Sequence, residues 1–330
     1  MSRRPVGPRA LFALVAPLLL LLGSAGCKPA APGWPRLAPK PTPPARWTEQ
    51  TIKNGWITVN VGLPHHGRAP YPVVLSPIVP DHELLSRGIG VVRWKTNWSI
   101  VAAVDAFQKP KPTPAVPAVP TPEPVGVWML RSERPGIIGR GYFRVITTEA
   151  HKTVPVVLDH IRRMPDIDES RIAITGSSTG GFTALQAMAE NPSIAAGVIQ
   201  VACGGYSIFL KSSSLALDDQ ERYLAGGEIV LDDDYAAELA AIDPLSRASN
   251  FPPRPVLLVS GAQDRAIPAA CVEATAARFS DVYEQAGLAD RFQWVEFEER
   301  GHNMGPEAEL LILDFLDEWL LKPRAGHTSP

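Results

Sequence analysis

The sequence predicts an α/β fold: a mostly parallel central sheet with helices on both faces. Two observations support this class. Short apolar runs bounded by turn residues recur along the chain, and helix-length segments separate them in its C-terminal two-thirds. Strands that alternate with helices are typical of a parallel sheet buried on both faces. With 330 residues and 45% hydrophobic composition, the chain is long and apolar enough to bury a large core.

The predicted strands are the apolar runs, taken in chain order. They cover residues 56–61, 73–79, 90–94, 171–175, 198–202, 256–260 and 292–297. The predicted helices are segments in which apolar residues recur at spacings of three and four. One passes through Val154, Val157, Leu158 and Ile161, and the others cover residues 181–190, 272–288 and 307–321.

Proline separates the N-terminal third of the chain from the rest. Of 34 prolines, 22 lie in residues 1–124. Residues 108–124 are especially rich in proline and are predicted to form a surface loop, because proline removes the N–H donor that a sheet requires. Residues 27–46 are predicted to form a stiff, extended tether. The folded domain is expected over residues 47–322, followed by a short tail at 323–330.

Residues 1–26 predict an export signal. Three arginines precede an apolar run at residues 10–22, and small residues precede Cys27. The run is shorter than the roughly 20 residues that a membrane span requires. The end of this segment, from Gly23 to Cys27, resembles the lipobox of bacterial lipoproteins, which implies a lipid anchor on Cys27. Lys28 favours the outer membrane by the same resemblance. The expected location is therefore the bacterial cell envelope, with ordinary secretion as the alternative.

Composition excludes several classes of partner. The net charge of −2 at pH 7 leaves no basic excess for a phosphate backbone, so nucleic acid is not an expected partner. The sequence has no C-x-x-C pair and no His/Cys cluster at zinc spacing, so neither a metal nor a cofactor is expected. Cys203 and Cys271 could form one disulfide in an oxidising compartment, or could remain buried thiols.

The sequence GSSTG at residues 176–180 matches the pattern G-x-S-x-G. It directly follows the predicted strand at 171–175 and directly precedes an apolar helix. This context is typical of a nucleophile elbow, in which glycines allow a sharp turn and the serine is exposed above the sheet. Ser178 is therefore the candidate nucleophile. The structural alternative is a glycine-rich turn with a capping serine.

A nucleophilic serine requires a base and an acid that orients it. His302 lies just beyond the last predicted strand and before the final helix. Asp264 lies in the loop after the strand at 256–260, which gives the chain order Ser, Asp, His. Asp281 and Asp290 also precede His302, but one falls in a helical segment and the other near the start of a strand. Neither is therefore expected at the end of the sheet that carries the candidate nucleophile.

These segments resemble the α/β-hydrolases of the dienelactone-hydrolase-like and prolyl-oligopeptidase-like serine esterase branch. The resemblance rests on residues 154–187, on GAQDRAIP around Asp264 and on ERGHNM around His302. It implies that Ser178 is the nucleophile, His302 the general base and acid, and Asp264 the orienting carboxylate. Dienelactone hydrolases carry cysteine at the elbow, so their substrate does not transfer to this chain.

An oxyanion hole requires two hydrogen-bond donors. The elbow supplies the backbone N–H of Thr179. The family usually has His-Gly after its third strand, whereas this chain has Pro77 and Ile78 there. Alignment with that strand predicts the N–H of Val79 as the second donor. Pro77 and Pro80 cannot donate, because proline has no N–H, so Ile78 and Val79 are the nearby choices.

The resulting hypothesis is an exported serine hydrolase that cleaves small-molecule carboxylic esters through an acyl-enzyme. A peptidase or amidase with the same triad is one alternative. A non-catalytic surface binding protein on a hydrolase scaffold is the other. Residues 204–243 are expected to form a small cap that lines the substrate pocket.

Overall fold

The computed structural model describes residues 45–52, 57–96, 143, 146–214 and 233–322. Within these residues, eight strands form one sheet in the spatial order β1-β2-β4-β3-β5-β6-β7-β8. The strands are Ala45–Ile52 (β1), Ile57–Pro64 (β2), Tyr71–Leu75 (β3), Gly90–Thr96 (β4), Ile167–Ser177 (β5), Ala196–Gln200 (β6), Val256–Gly261 (β7) and Phe292–Phe297 (β8). β1 and β2 are antiparallel to their neighbours, and the other six strands run parallel. This arrangement confirms the predicted fold class.

The α-helices of the described residues connect and cover these strands. They are Asp81–Ser86 (α1), Val154–Ile161 (α2), Thr179–Glu190 (α3), Tyr206–Ser212 (α4), Asp233–Ile242 (α5), Ala269–Gln285 (α6) and Pro306–Leu316 (α7). Every apolar position that defines the predicted face of α2 is buried, and α3 is buried along almost its whole length. Among the described residues, no helix is long and apolar enough to cross a membrane.

Two strand predictions need correction. The edge strand β1 was not predicted, and the predicted tether at 27–46 overlaps its first two residues. Its side chains are mostly exposed, so the strand carries no apolar pattern. The predicted strand at 73–79 ends at Leu75 instead. Ser76 then takes a left-handed conformation with φ 50°, and Pro77 has no N–H to continue the ladder.

The first part of the predicted cap packs into the core. Tyr206, Phe209 and Leu210 of α4 are fully buried, and the Tyr206 ring stacks on Phe143 with centroids 4.0 Å apart. These residues therefore do not form a lid over a pocket. Within the predicted cap, residues 233–242 form α5, and residues 215–232 lie outside the described residues. So do the export signal with Cys27, most of the tether, the loop at 108–124 and the tail at 323–330.

The loop after β6 is fixed to its surroundings by a disulfide and a buried carboxylate. Cys203 and Cys271 form the disulfide, which joins this loop to α6 and resolves the two possibilities left by the sequence. The Asp243 carboxylate accepts hydrogen bonds from the N–H groups of Gly205 and Tyr206 at 3.0 and 2.8 Å. The loop is thus held on both sides next to the end of β6.

Strained backbone is concentrated at the carboxyl ends of three adjacent strands. Among the described residues, three that are not glycine have positive φ: Ser76 (50°), Ser178 (55°) and Val201 (42°). Ser76 directly follows β3, Ser178 directly follows β5, and Val201 directly follows β6. These three strands are adjacent in the sheet. Such conformations are costly for residues with a Cβ and are often found at functional sites.

Candidate active site

The turn between β5 and α3 has the geometry of a nucleophile elbow. Ser178 stands between the two elements with φ 55° and ψ −122°. A Cβ on Gly176 would lie 2.0 Å from the carbonyl oxygen of Gly180, and a Cβ on Gly181 would lie 2.7 Å from Ala202. Only glycine fits at these two positions without a shift of the backbone. The pattern in the sequence therefore has a direct steric cause.

The structure brings the three candidate residues into one hydrogen-bonded chain. His302 Nε2 lies 3.0 Å from Ser178 Oγ, and His302 Nδ1 lies 2.8 Å from Asp264 Oδ2. The three side chains follow three different strands, β5, β7 and β8, at the same edge of the sheet. A neutral imidazole that donates from Nδ1 to the carboxylate leaves Nε2 free to accept the serine proton.

Asp264 is held in a single orientation by its own loop. Its side chain is only 2% exposed. Oδ1 accepts hydrogen bonds from the N–H groups of Ala266 and Ile267 at 2.8 and 3.0 Å, which leaves Oδ2 for the histidine. The carboxylate is thus buried but fully hydrogen-bonded, as a buried charge requires.

The loops that carry Asp264 and His302 are joined through their backbones. The N–H of Gln263 donates to the Arg300 carbonyl oxygen at 2.9 Å. A Cβ on Gly261, the last residue of β7, would lie 2.4 Å from the Arg300 oxygen and 2.5 Å from that of Gly301. Gly261 was not among the site residues predicted from the sequence. Its only signal was a glycine at the end of a strand, just before the candidate acid.

We expect Gly261→Ala to lower hydrolytic kcat/KM by about 100-fold, because a displacement of about 1 Å at a catalytic group has an effect of that size. The added methyl would push the His302 loop away from β7. Steady-state kinetics and thermal melting measure the effect. Gly301→Ala is the matched control, because its Cβ would meet no atom closer than 3.5 Å and should change kcat/KM less than threefold. Equal losses in the two variants would contradict this explanation.

The other aspartates lie away from the histidine. Asp281 is exposed on α6, and Asp290 is exposed in the 3-10 turn Ala289–Arg291. The hydrogen-bond partner of His302 Nδ1 is Asp264. The positions expected from the sequence for these competing carboxylates are therefore confirmed.

The two predicted oxyanion donors follow neighbouring strands of the sheet, β5 and β3. Thr179 is the first residue of α3, so its N–H lies at the N-terminus of that helix. Val79 lies in the loop between β3 and α1, with its side chain buried. Among the described residues, the N–H groups of Ile78 and Val79 have no hydrogen-bond acceptor. The assignment of Val79 stays a prediction.

A cavity of about 680 Å³ lies beside the nucleophile. Thr179 and Gly180 line it next to Ser178, and Ser76 lines it at the end of β3. Trp94 and Glu149 also line it. The described part of the predicted cap contributes no residue to this cavity, which lies on the β3 and β4 side of the elbow. A volume in this range suits a small-molecule substrate.

In this mostly parallel sheet, a serine lies in a tight turn after one strand, and a histidine and an aspartate follow two others. This arrangement defines a serine hydrolase of the α/β-hydrolase class. The profile of the prolyl oligopeptidase family matches residues 151–323, more than half of the chain, so the protein belongs to this family. Among curated proteins, none matches the sequence significantly.

Several solved structures share the fold. A 2,6-dihydroxy-pseudo-oxynicotine hydrolase is 18% identical with a TM-score of 0.51, and the match covers 84% of this chain and 69% of the hydrolase. Pyrococcus horikoshii acylaminoacyl peptidase is 17% identical with a TM-score of 0.56, covering 87% of this chain and 43% of the peptidase. A Mycobacterium tuberculosis puromycin-hydrolyzing peptidase is 19% identical with a TM-score of 0.53, covering 85% and 40%. This chain thus spans about two-fifths of the length of these peptidases.

Proposed function

We propose that this serine hydrolase cleaves carboxylic esters through an acyl-enzyme formed on Ser178. The observation that carries the proposal is the hydrogen-bonded chain from Ser178 through His302 to Asp264, with distances of 3.0 and 2.8 Å. A serine hydroxyl alone is a poor nucleophile. His302 provides the base that activates it, and Asp264 orients that base.

The first half of the reaction forms the acyl-enzyme. Ser178 Oγ attacks the ester carbonyl carbon while His302 Nε2 takes the hydroxyl proton, and the carbonyl oxygen becomes an oxyanion. The N–H of Thr179 donates to that oxyanion, with the N–H of Val79 as the second donor. When the tetrahedral intermediate collapses, the bond to the alcohol oxygen breaks and His302 gives its proton to the departing alcohol.

The second half regenerates the enzyme. His302 takes a proton from a water molecule, whose oxygen attacks the acyl carbon. Collapse of this second intermediate breaks the bond to Ser178 Oγ and returns the proton to it, so that the carboxylic acid leaves. The Asp264 carboxylate stabilises the imidazolium that forms in each half.

A peptidase or amidase is the second candidate function. Membership of the prolyl oligopeptidase family favours it, and the same three residues would serve, with His302 protonating an amine leaving group. A matched ester and anilide of one acyl group separate the two activities. Turnover of the ester with at least 100-fold lower kcat/KM for the anilide supports the esterase. A kcat/KM for the anilide equal to or above that of the ester would overturn it in favour of the amidase.

Fluorophosphonate labelling tests whether the site is catalytic at all. These reagents react with activated serines, so a catalytic protein should carry the label on the peptide that contains Ser178. A protein that stays unlabelled and hydrolyses neither substrate would instead be the non-catalytic surface binding protein.

We also propose that the protein is lipid-anchored in the cell envelope. Cys27→Ser is expected to release the protein from membranes, because the acceptor thiol for the lipid is lost while the folded domain is unchanged. Membrane fractionation and the intact mass of the mature protein measure the result. Wild-type protein found wholly soluble in the periplasm or medium would contradict the anchor and favour secretion.

A further inference from the structure

Glu149 is a partly buried carboxyl group in the wall of the cavity beside the nucleophile. It takes no part in the hydrogen-bonded chain of Ser178, His302 and Asp264. One of its oxygens accepts a hydrogen bond from the Trp94 indole N–H, and the other accepts from the Thr153 hydroxyl at 3.1 Å. Both donors are neutral. Among the described residues, no lysine, arginine or histidine forms an ion pair with this carboxylate.

The environment of Glu149 disfavours its charge. Burial raises the pKa of the carboxyl above its ordinary value, and the hydrogen bonds from Trp94 and Thr153 lower it without cancelling that effect. A cation that entered the cavity would supply the missing counter-charge. The carboxylate would then gain a charge-assisted hydrogen bond, which is stronger than the neutral bonds it already has.

The other charged groups of the cavity do not supply this cation. The Arg93 guanidinium is paired with Asp81 at 2.8 Å, so its charge is already balanced. Lys95 and Glu49 have opposite charges and are both exposed to solvent, where screening weakens their effect. Glu149 is therefore the carboxylate of the cavity that gains most from a cationic ligand.

Aromatic residues in the same cavity also suit a cation. Trp94 and Trp47 both line it, and indole rings attract ammonium groups through their π faces. At about 680 Å³, the cavity has room for an amino-acid side chain together with an ammonium group. The walls thus combine a carboxylate with apolar and aromatic surface.

We propose that Glu149 binds a free ammonium group on the acyl portion of the substrate. The proposal rests on the proposed function, because the reacting carbonyl must lie at Ser178. The same cavity is lined by Thr179 and Gly180, which directly follow the nucleophile in the chain. The substrate class is therefore aminoacyl compounds with an unblocked amine, in preference to their N-acylated counterparts.

The test compares leucine methyl ester with N-acetyl-leucine methyl ester, which share the side chain and the methanol leaving group and of which only the first carries a positive charge. The wild-type enzyme is expected to prefer the free amine by about tenfold or more in kcat/KM. Glu149→Gln is expected to lower kcat/KM about 10- to 100-fold on the free amine and less than threefold on the acetylated ester. The glutamine oxygen can still accept from Trp94, and its amide N–H can donate to the Thr153 hydroxyl, so the fold should be preserved.

Glu169→Gln is the matched control, because Glu169 is exposed near the start of β5 and should leave the preference between the esters unchanged. A wild-type enzyme without preference for the free amine would overturn the ammonium subsite. So would a Glu149→Gln variant that slows both esters equally, since that indicates a merely structural role. In both cases, an enzyme that still hydrolyses the esters and is labelled on Ser178 would continue to support the proposed function. Failure to hydrolyse any substrate or to take up fluorophosphonate would overturn both.

Discussion

Ser178→Ala is expected to abolish fluorophosphonate labelling and to lower hydrolytic turnover by about 10⁵-fold or more. The variant keeps the elbow, the histidine and the cavity but has no oxygen to attack the carbonyl. His302 Nε2 then has no hydroxyl 3.0 Å away from which to take a proton. Labelling with a fluorophosphonate probe and steady-state kinetics on an ester measure the two effects.

Ser177→Ala is the matched control for this experiment. Ser177 is the last residue of β5, and His302 contacts the hydroxyl of Ser178 rather than that of its neighbour. The control variant should therefore retain labelling and turnover within about threefold. If Ser177→Ala were the inactive variant and Ser178→Ala were active, the nucleophile would be wrongly assigned.

Asp264→Asn is expected to lower ester turnover by about 10³- to 10⁴-fold with little change in melting temperature. Two backbone N–H groups donate to Oδ1, so the oxygen of an asparagine amide would occupy that position. The amide NH₂ would then face His302 Nδ1 and require it to accept a hydrogen bond. The imidazole proton would move to Nε2, which could no longer take the proton of Ser178.

The competing aspartates provide controls for the orienting carboxylate. Asp281→Asn and Asp290→Asn change exposed side chains away from the site, so turnover should stay within about threefold of wild type. Turnover and thermal melting should be measured together for all three variants. A fully active Asp264→Asn enzyme would show that another group orients His302.

The central sheet and the candidate triad could be predicted because their signals are local. Each strand from β5 to β8 is a short apolar run, and Ser178, Asp264 and His302 follow β5, β7 and β8 along the chain. Parallel strands bring their carboxyl ends to one edge, so the topology itself implies that these three side chains converge. The glycines around Ser178 gave the same information about the elbow.

Features that depend on distant contacts were missed or wrongly predicted. The strand β1 has exposed side chains and is defined by its pairing with β2, for which the sequence has no pattern. Tyr206 was assigned to the cap because nothing local shows that it stacks on Phe143. The role of Gly261 depends on the backbone of Arg300, 39 positions later in the chain. Glu149 likewise could not be predicted, because it lies in the cavity through its contact with Trp94, 55 positions earlier in the chain.

The positive φ of Ser178 lowers the stability of the fold, although the reaction requires a serine at that position. A non-glycine residue in such a conformation costs about 1 to 3 kcal/mol, a sizeable part of the roughly 5 to 15 kcal/mol by which folded domains are stable. Glycine would remove this cost but would also remove the hydroxyl. The rest of the sheet must therefore hold the elbow in place, and selection for thermal stability alone would act against the residue that the reaction requires.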